Sequence, residues 1–413
     1  MAGLAWRQER LASPVALHHG PAAKGDPRMR LAVLKERRPA ETRVAATPET
    51  VRKFIALGLT VAVEAGAGLR AGIPDAEFAA AGAEVAPDAA ATLNGAGIVL
   101  KIRAPLGAGE GEIDELAMIP RGALMLGQLQ ATPEMAASYA QLGIDAGAME
   151  LAPRITRAQS MDILSSQANL AGYRAVIEAA ATFDRGFPML MTAAGTIPAA
   201  NVFIMGAGVA GLQAIATARR LGGRVSATDV RPAAKEEIKS LGASFVGHED
   251  EESRAAQTAG GYAKPMSAGF MQKQGEVVAA HLAKQDIIVT TALVQGRKAP
   301  TLVTAAMVES MKPGSVIVDI ASDAGGNVAL TKPGEAFTTP GGVTILGFHN
   351  WPGRIPAASS QLFARNLLTL LTTFWDQEAK VPKLPADDDI VKGVMLTRGG
   401  AVVHPSFAPA QAA

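Results

Sequence analysis

The sequence predicts an α/β protein made of two doubly wound parallel-sheet domains joined by long helices. Short apolar runs alternate with helix-like segments along the chain, which is typical of parallel sheets with crossover helices. Hydrophobic residues make up 48% of the 413 residues, enough for large packed cores. Glycine occurs 43 times while aromatic residues make up only 4%, a composition that suits tight turns and close backbone packing.

The first alternating series predicts strands at residues 31–34, 60–64 and 97–102, with helices at 48–57 and 75–81 between them. Thr47, Pro48 and Glu49 form a helix start, because threonine caps, proline suits the first helical position and an acid suits the first turn. A long alanine-rich helix is predicted at residues 165–182.

A second series predicts strands at residues 201–205, 224–228, 287–291, 315–320 and 343–347, followed by a long helix at 359–374. Residues 1–28 lack the continuous apolar run of a secretory signal, so we expect a disordered N-terminal extension. Residues 186–218 carry no charge, but Gly195, Pro198 and Asn201 interrupt them. We therefore expect no direct membrane span.

Charge and residue usage exclude several classes of function. The 39 basic and 38 acidic residues give a net charge of +1, so the chain offers no electrostatic reason to bind nucleic acid. The absence of cysteine excludes disulfides, thiolate catalysis and iron–sulfur clusters. The six histidines are too dispersed for metal-ligand spacing, so we expect no metal.

A glycine-rich turn is the sharpest motif. A predicted buried strand runs into Gly206, Ala207, Gly208, Val209, Ala210 and Gly211, and a helix is predicted at 212–221. In this pattern the first glycine allows a tight turn, the second lets a pyrophosphate approach, and the third lets the helix pack on the strand. The motif indicates a Rossmann-like dinucleotide site.

The end of the next predicted strand carries Asp229, Val230 and Arg231, with Asp229 placed 18 residues beyond Gly211. A carboxylate at this distance accepts hydrogen bonds from the adenosine ribose and repels a 2′-phosphate, which favours NAD(H) over NADP(H). Arg231 could receive a 2′-phosphate, but we expect it to pair with Asp229 or cover the adenine.

The segment between the two series is unusually polar. Gln159, Asp162 and Ser165 recur every three residues and would share one face of a turn or helix, with Arg154 available as a counter-charge. A carboxamide, a carboxylate and a hydroxyl suit a nicotinamide and its ribose. The same residues would equally suit a capping and loop network at a domain junction.

These stretches carry a family resemblance. Residues 154–176 and 189–229, together with the blocks 35–39, 258–264, 325–327 and 397–405, closely resemble the NAD(H)-binding component of proton-translocating NAD(P)+ transhydrogenases. The blocks occur in the expected order and the resemblance spans nearly the whole chain from Met29 to Pro405. This family shares its architecture with alanine dehydrogenases.

The resemblance implies roles for individual residues. Arg154, Gln159, Asp162 and Ser165 match a loop that holds the nicotinamide end, and Gln159 helps to place it against NADP(H) on a partner. Asp229 and Arg231 match the adenosine side of the site. Tyr262 matches the tip of a mobile loop that closes over the nucleotide, although the residues alone would indicate an exposed loop.

The resemblance also implies an activity. NADH passes hydride directly to NADP+ bound on a partner subunit, and membrane-spanning subunits couple this transfer to proton translocation. The chain would be a homodimer in the cytoplasm, attached peripherally to the inner membrane through those partners. We expect residues 29–165 and 356–413 to form one discontinuous domain, and 166–355 to form the NAD(H)-binding Rossmann domain.

Two alternatives remain. In an alanine dehydrogenase, Arg43 and Lys101 would match residues that hold the substrate carboxylate and take part in catalysis. However, no histidine lies between His19 and His248, where that reaction would need one, so we expect these two cations to be relics, surface charges or packing charges. A non-enzymatic nucleotide sensor would need the glycine-rich turn but not the polar face at 154–165.

Overall fold

A computed structural model describes residues 29–254, 267–293 and 297–408. The chain divides into two compact units. The N-terminal unit comprises the described residues of 1–38, 43–163 and 363–413, and the central unit comprises those of 39–42 and 164–362. Residues 1–28, for which we predicted a disordered extension, lie outside the described residues.

The N-terminal unit contains a six-stranded sheet. Its strands are β1 (Arg30–Val33), β2 (Thr60–Glu64), β3 (Glu84–Ala86), β4 (Ala96–Arg103), β5 (Leu124–Gln128) and β6 (Asp145–Ala148). They lie in the order β3-β2-β1-β4-β5-β6, and every neighbouring pair is parallel. Ala32, Val99 and Met125 pack in one core cluster with Tyr139, so this sheet is buried by helices as parallel sheets require.

The central unit contains a two-stranded hairpin, formed by its first two strands, and a seven-stranded sheet. The strands are β7 (Leu190–Thr192), β8 (Gly195–Ile197), β9 (Asn201–Met205), β10 (Arg224–Thr228), β11 (Ser244–Phe245), β12 (Ile287–Thr290), β13 (Val316–Asp319), β14 (Ala336–Thr338) and β15 (Thr344–Leu346). The sheet order is β11-β10-β9-β12-β13-β15-β14, in which only β14 is antiparallel. The order in which strands are added reverses between β9 and β12, which is where such sheets bind ligands.

Both faces of the central sheet are buried. Val202 and Ile204 of β9 pack into one core cluster, while Phe203 and Met205 of the same strand pack into another on the opposite face. Successive side chains of a strand point to opposite faces, so burial on both sides gives the continuous apolar run seen in the sequence. The structure confirms the predicted α/β class with two parallel sheets.

The helices are α1 (Pro48–Ala56), α2 (Asp75–Ala80), α3 (Ala89–Leu93), α4 (Glu115–Met118), α5 (Pro133–Leu142), α6 (Ile163–Thr182), α7 (Val209–Arg220), α8 (Pro232–Ser240), α9 (Glu251–Arg254), α10 (Ala268–Leu282), α11 (Ala305–Glu309), α12 (Pro356–Thr373) and α13 (Asp389–Val394). The remaining strands are β16 (Trp375–Asp376), β17 (Val381–Pro382), β18 (Thr397–Arg398) and β19 (Ala401–Val402). Thr47 caps α1 as predicted, accepting a hydrogen bond from the Thr50 amide. α6 and α12 carry the chain between the two units.

Candidate functional site

The glycine-rich turn connects β9 to α7. The Gly206 amide donates to the carbonyl of Thr228 on the neighbouring strand at 2.9 Å, and Gly206 has φ +105°, a conformation that favours glycine. The hydroxyl of Thr291, directly after β12, donates to the Gly206 carbonyl at 3.1 Å. The turn is therefore fixed by both strands that flank β9.

The other two glycines of the motif differ in their surroundings. A Cβ on Gly211 would lie 1.8 Å from the Gly206 carbonyl oxygen, so α7 can start this close to the strand only without a side chain there. A Cβ on Gly208 would meet nothing within 4 Å. Gly208 is exposed, which leaves open space directly in front of the turn.

A further glycine, missed by our sequence analysis, sets the packing of the turn. A Cβ on Gly172 of α6 would lie 2.0 Å from the Ala210 carbonyl oxygen, so α6 crosses the first turn of α7 in backbone contact. In the sequence, the one sign of this contact is a glycine in the middle of a predicted helix.

The N-terminus of α7 is available to an anion. Gly208 is its N-cap, no side chain caps it among the described residues, and its first turn carries no acid. Val209 is 41% exposed beside it. Unpaired amides and the positive end of the helix dipole make such an end a binding site for phosphate groups.

Asp229 closes over the turn from the end of β10. Its Oδ2 accepts from the Ala207 amide at 2.8 Å, and its Oδ1 accepts from the Arg231 amide at 2.8 Å. The Arg231 guanidinium chelates the same carboxylate through Nε and Nη2 at 3.0 and 3.1 Å, and Nη2 also donates to the Ala207 carbonyl at 3.0 Å. The hydrogen bonds to the Asp229 carboxylate and its negative charge raise the pKa of Arg231 above its usual value. Arg231 is thus the partner of Asp229 in this structure, while Val230 between them is exposed.

Asn327 supports the neighbouring loop after β12. Its amide Nδ2 donates to the carbonyls of Ala292 and Pro300 at 2.9 and 2.8 Å, and its Oδ1 accepts from the Ala292 amide at 3.0 Å. Its own backbone amide donates to the buried carboxylate of Asp319 at 2.8 Å. Both side chains are fully buried, so they shape the carboxyl edge of the sheet rather than present groups to a ligand.

The polar segment divides between the two units. Arg154, Gln159 and Asp162 belong to the N-terminal unit, whereas Ser165 lies in the first turn of α6 in the central unit. Residues Thr156–Met161 form a 3-10 helix anchored by the buried side chains of Ala158 and Met161. Residues three apart share a face in such a helix, so Gln159 lies on a different face from the buried Ala158 and Met161.

The side chains of Arg154 and Gln159 are exposed, and those of Asp162 and Ser165 are half-buried. Asp162 itself has extended backbone angles, φ −73° and ψ 95°, between the 3-10 helix and α6. The three-residue spacing therefore spans a helix end and a break, and our interpretation of one continuous turn or helix was wrong. Tyr262 and the loop predicted to carry it at its tip lie outside the described residues.

The two cations that matched alanine dehydrogenase are buried in the N-terminal unit. Lys101 Nζ lies 3.3 Å from Glu36 Oε2 and 3.2 Å from Glu115 Oε2, and all three side chains are nearly inaccessible. Arg43 is 2% exposed and lies over the ring of Phe363. Both cations are buried, so the prediction that they are surface charges is wrong.

Across residues 29–254, 267–293 and 297–408, no helix combines the length and the apolar character that crossing a membrane would require.

Comparison with known proteins identifies relatives along nearly the whole chain. The model of the alanine dehydrogenase/PNT N-terminal domain matches residues 32–171, and that of the corresponding C-terminal domain matches residues 175–405. The chain is 52% identical over 382 residues to the first part of NAD(P) transhydrogenase subunit alpha of Rhodospirillum rubrum, covering 92% of this chain and 99% of the relative. It is 28% identical over 389 residues to alanine dehydrogenase of Bacillus subtilis, covering 92% of this chain and 94% of the relative.

A solved structure agrees with these matches. The transhydrogenase from Sinorhizobium meliloti superposes with a TM-score of 0.81 at 50% identity, covering 91% of this chain and all of that one. With both domain models matched in order and a relative above half identity, the chain belongs to the alanine dehydrogenase/PNT family.

Proposed function

We propose that this chain is the NAD(H)-binding subunit of a proton-translocating transhydrogenase, and that it passes hydride from NADH to NADP+ bound on a partner subunit. The observation that carries the proposal is the open turn at Gly208, placed between an uncapped helix N-terminus and the carboxylate of Asp229. The 52% identity to a transhydrogenase alpha subunit supports the same activity.

Each part of the turn suits one part of NADH. The N-terminus of α7 provides amides and a positive dipole end for the pyrophosphate, which needs the space in front of Gly208. The Asp229 carboxylate suits the adenosine ribose hydroxyls and would repel the 2′-phosphate of NADPH. These contacts favour NADH as the ligand of this chain.

The nicotinamide end is assigned to the polar segment. We assign Arg154, Asp162 and Ser165 to holding the nicotinamide and its ribose, and Gln159 to orienting the ring toward the acceptor. Tyr262 is assigned to covering the bound nucleotide. The amide, carboxylate and hydroxyl groups of these residues match the donors and acceptors of a carboxamide and a ribose.

The reaction places modest chemical demands on the chain. When bound, the nicotinamide supplies the hydride at its own C4 carbon. The residues of the chain therefore need only bind, orient and exclude water, which is how positioning lowers the barrier of a bimolecular step. A site of Arg, Gln, Asp and Ser without cysteine or a catalytic histidine suits that task.

The activity requires partners. We propose that the chain acts as a homodimer in the cytoplasm, docked on subunits that bind NADP(H) and span the inner membrane, and that these subunits couple hydride transfer to proton movement. The proposal rests on the transhydrogenase alpha subunits among its relatives, including one of Cereibacter sphaeroides at 43% identity.

The test is reduction of an NAD+ analogue by NADPH in the presence of NADH, with the full chain alone and with an isolated NADP(H)-binding domain. Reduction that appears only with both proteins supports the proposal. Oxidation of NADH by pyruvate and ammonium, measured in parallel without a partner, would show an alanine dehydrogenase instead. Tight NADH binding with neither reaction would favour a nucleotide sensor.

A further inference from the structure

The carboxylate of Asp229 has no acceptor capacity left. An ionised carboxylate offers about four lone-pair positions. Oδ1 accepts from the amide and Nε of Arg231, and Oδ2 accepts from the Ala207 amide and from Nη2 of Arg231. The side chain of Asp229 is only 9% exposed, so no further face of it is open. A ribose hydroxyl that donates to Asp229 must therefore displace one of these donors.

The donors differ in how readily they can leave. The Ala207 amide belongs to the turn, which is tied to β10 through Gly206, and the Arg231 amide belongs to the N-cap of α8. Moving either one would require a change in the backbone. The Arg231 guanidinium is carried on a long flexible side chain and is already 25% exposed. It is the group that can move into solvent at the lowest cost.

We propose that Arg231 is a placeholder, whose guanidinium occupies the ribose-binding oxygens of Asp229 until the adenosine ribose of NADH displaces it. This inference rests on the proposed NADH site. The guanidinium also bridges to the Ala207 carbonyl, so it holds Asp229 against the glycine-rich turn. NADH must break the hydrogen bonds between Arg231 and Asp229 each time it binds. The guanidinium therefore competes with the ribose for Asp229 and lowers the affinity for NADH.

The same contacts discriminate between the two nucleotides. The ribose hydroxyls of NADH are donors and can replace the N–H groups of the guanidinium on Asp229. A 2′-phosphate has no such donor at neutral pH and would meet the carboxylate as a like charge. NADH brings two hydroxyl donors to this exchange at Asp229, whereas NADPH keeps only its 3′-hydroxyl and adds a charge that the carboxylate repels, so the exchange favours NADH.

The experiment titrates the full chain with NADH by fluorescence, comparing wild type, Arg231→Ala and Arg231→Lys. We expect Arg231→Ala to lower the Kd for NADH on the order of tenfold, since a charge-assisted hydrogen bond no longer has to be broken. Arg231→Lys should lower it less, because an ammonium still pairs with the carboxylate but cannot chelate it. Reduced nicotinamide mononucleotide, which lacks adenosine, should bind all three equally.

Unchanged or weaker NADH binding by Arg231→Ala would overturn the inference, as would an equal gain in affinity for the mononucleotide. Because a loss of stability in the variants would also change NADH binding, a second measurement follows Arg231 in the wild-type chain. The ¹⁵N resonance of Arg231 Nε should show faster hydrogen exchange at NADH saturation, and unchanged exchange would overturn the inference. If wild type bound no NADH at all, the proposed function would fail together with this inference.

Discussion

Two alanine substitutions in the glycine-rich turn should separate binding from folding. At Gly208 a methyl group meets nothing within 4 Å, and the backbone angles of φ −70° and ψ −171° are accessible to alanine. Gly208→Ala should therefore change the free energy of unfolding by less than about 1 kcal/mol. If the pyrophosphate lies in front of this position, the methyl group occupies its space. The loss of about 1–3 kcal/mol typical of overpacking then weakens NADH binding roughly 5- to 150-fold.

Gly211→Ala serves as the matched control, because its methyl group clashes with protein. The new Cβ would lie 1.8 Å from the Gly206 carbonyl oxygen, and α7 would have to withdraw by more than about 1 Å to reach normal contact. The gain of about 1 kcal/mol in helix propensity offsets only part of this cost. We expect Gly211→Ala to lower the melting temperature by several degrees, and Gly208→Ala to leave it nearly unchanged.

The assay combines thermal unfolding followed by circular dichroism with fluorescence titration of NADH, for both variants and wild type. Normal NADH affinity in Gly208→Ala would refute the placement of the pyrophosphate at the turn. A large loss of stability in the same variant would refute the open space that the structure shows there.

Three further predictions concern the polar segment and the charges of the N-terminal unit. Gln159→Asn should leave the Kd for NADH largely unchanged but slow hydride transfer in the reconstituted assay, and an unchanged transfer rate would remove Gln159 from the positioning role. Lys101→Met removes the cation shared by the buried Glu36 and Glu115, but Glu115 keeps its pairing with Arg37, so urea unfolding should show a loss of about 3 kcal/mol, and a loss below about 1 kcal/mol would contradict the buried pairing. Hydrogen bonds from Arg365 and Lys53 lower the pKa of Glu49 from 4.5 to about 2, so its stabilising effect is complete above pH 4.5 and disappears as the pH falls toward 2. Glu49 is 35% exposed, so Glu49→Gln should cost less than about 1 kcal/mol at pH 7, and this difference from wild type should vanish near pH 2.

The sequence was most informative where local chemistry dictates local structure. The strands at Thr60–Glu64, Asn201–Met205 and Arg224–Thr228 have the predicted bounds, because the interior of each is a run of small, apolar or β-branched residues that is buried on both faces. Thr47 before Pro48 determined the start of α1 for the same local reason. The strands at Glu84–Ala86 and Asp145–Ala148 escaped prediction because three or four residues of small or mixed character carry no periodic signal.

The polar segment shows that even spacing of residues does not predict where one helix ends and the next begins. Gln159, Asp162 and Ser165 are evenly spaced, yet a 3-10 helix ends and α6 begins between them. Burial of Ala158 and Met161 decides that geometry, and burial depends on residues far away in the sequence. Periodicity could therefore select the residues of this segment but not their arrangement.

By itself, the sequence determined the class of the fold and the identity of the glycine-rich turn, because strand burial, helix capping and the order of glycines are local properties. The tertiary structure alone decided that Gly172 lets α6 contact the turn, that Lys101 is buried between two carboxylates, and that Arg231 fills the acceptor positions of Asp229. Each of these facts depends on contacts across the fold or on the exact path of the backbone. Sequence patterns do not specify such contacts, since many residues would satisfy the same local preference.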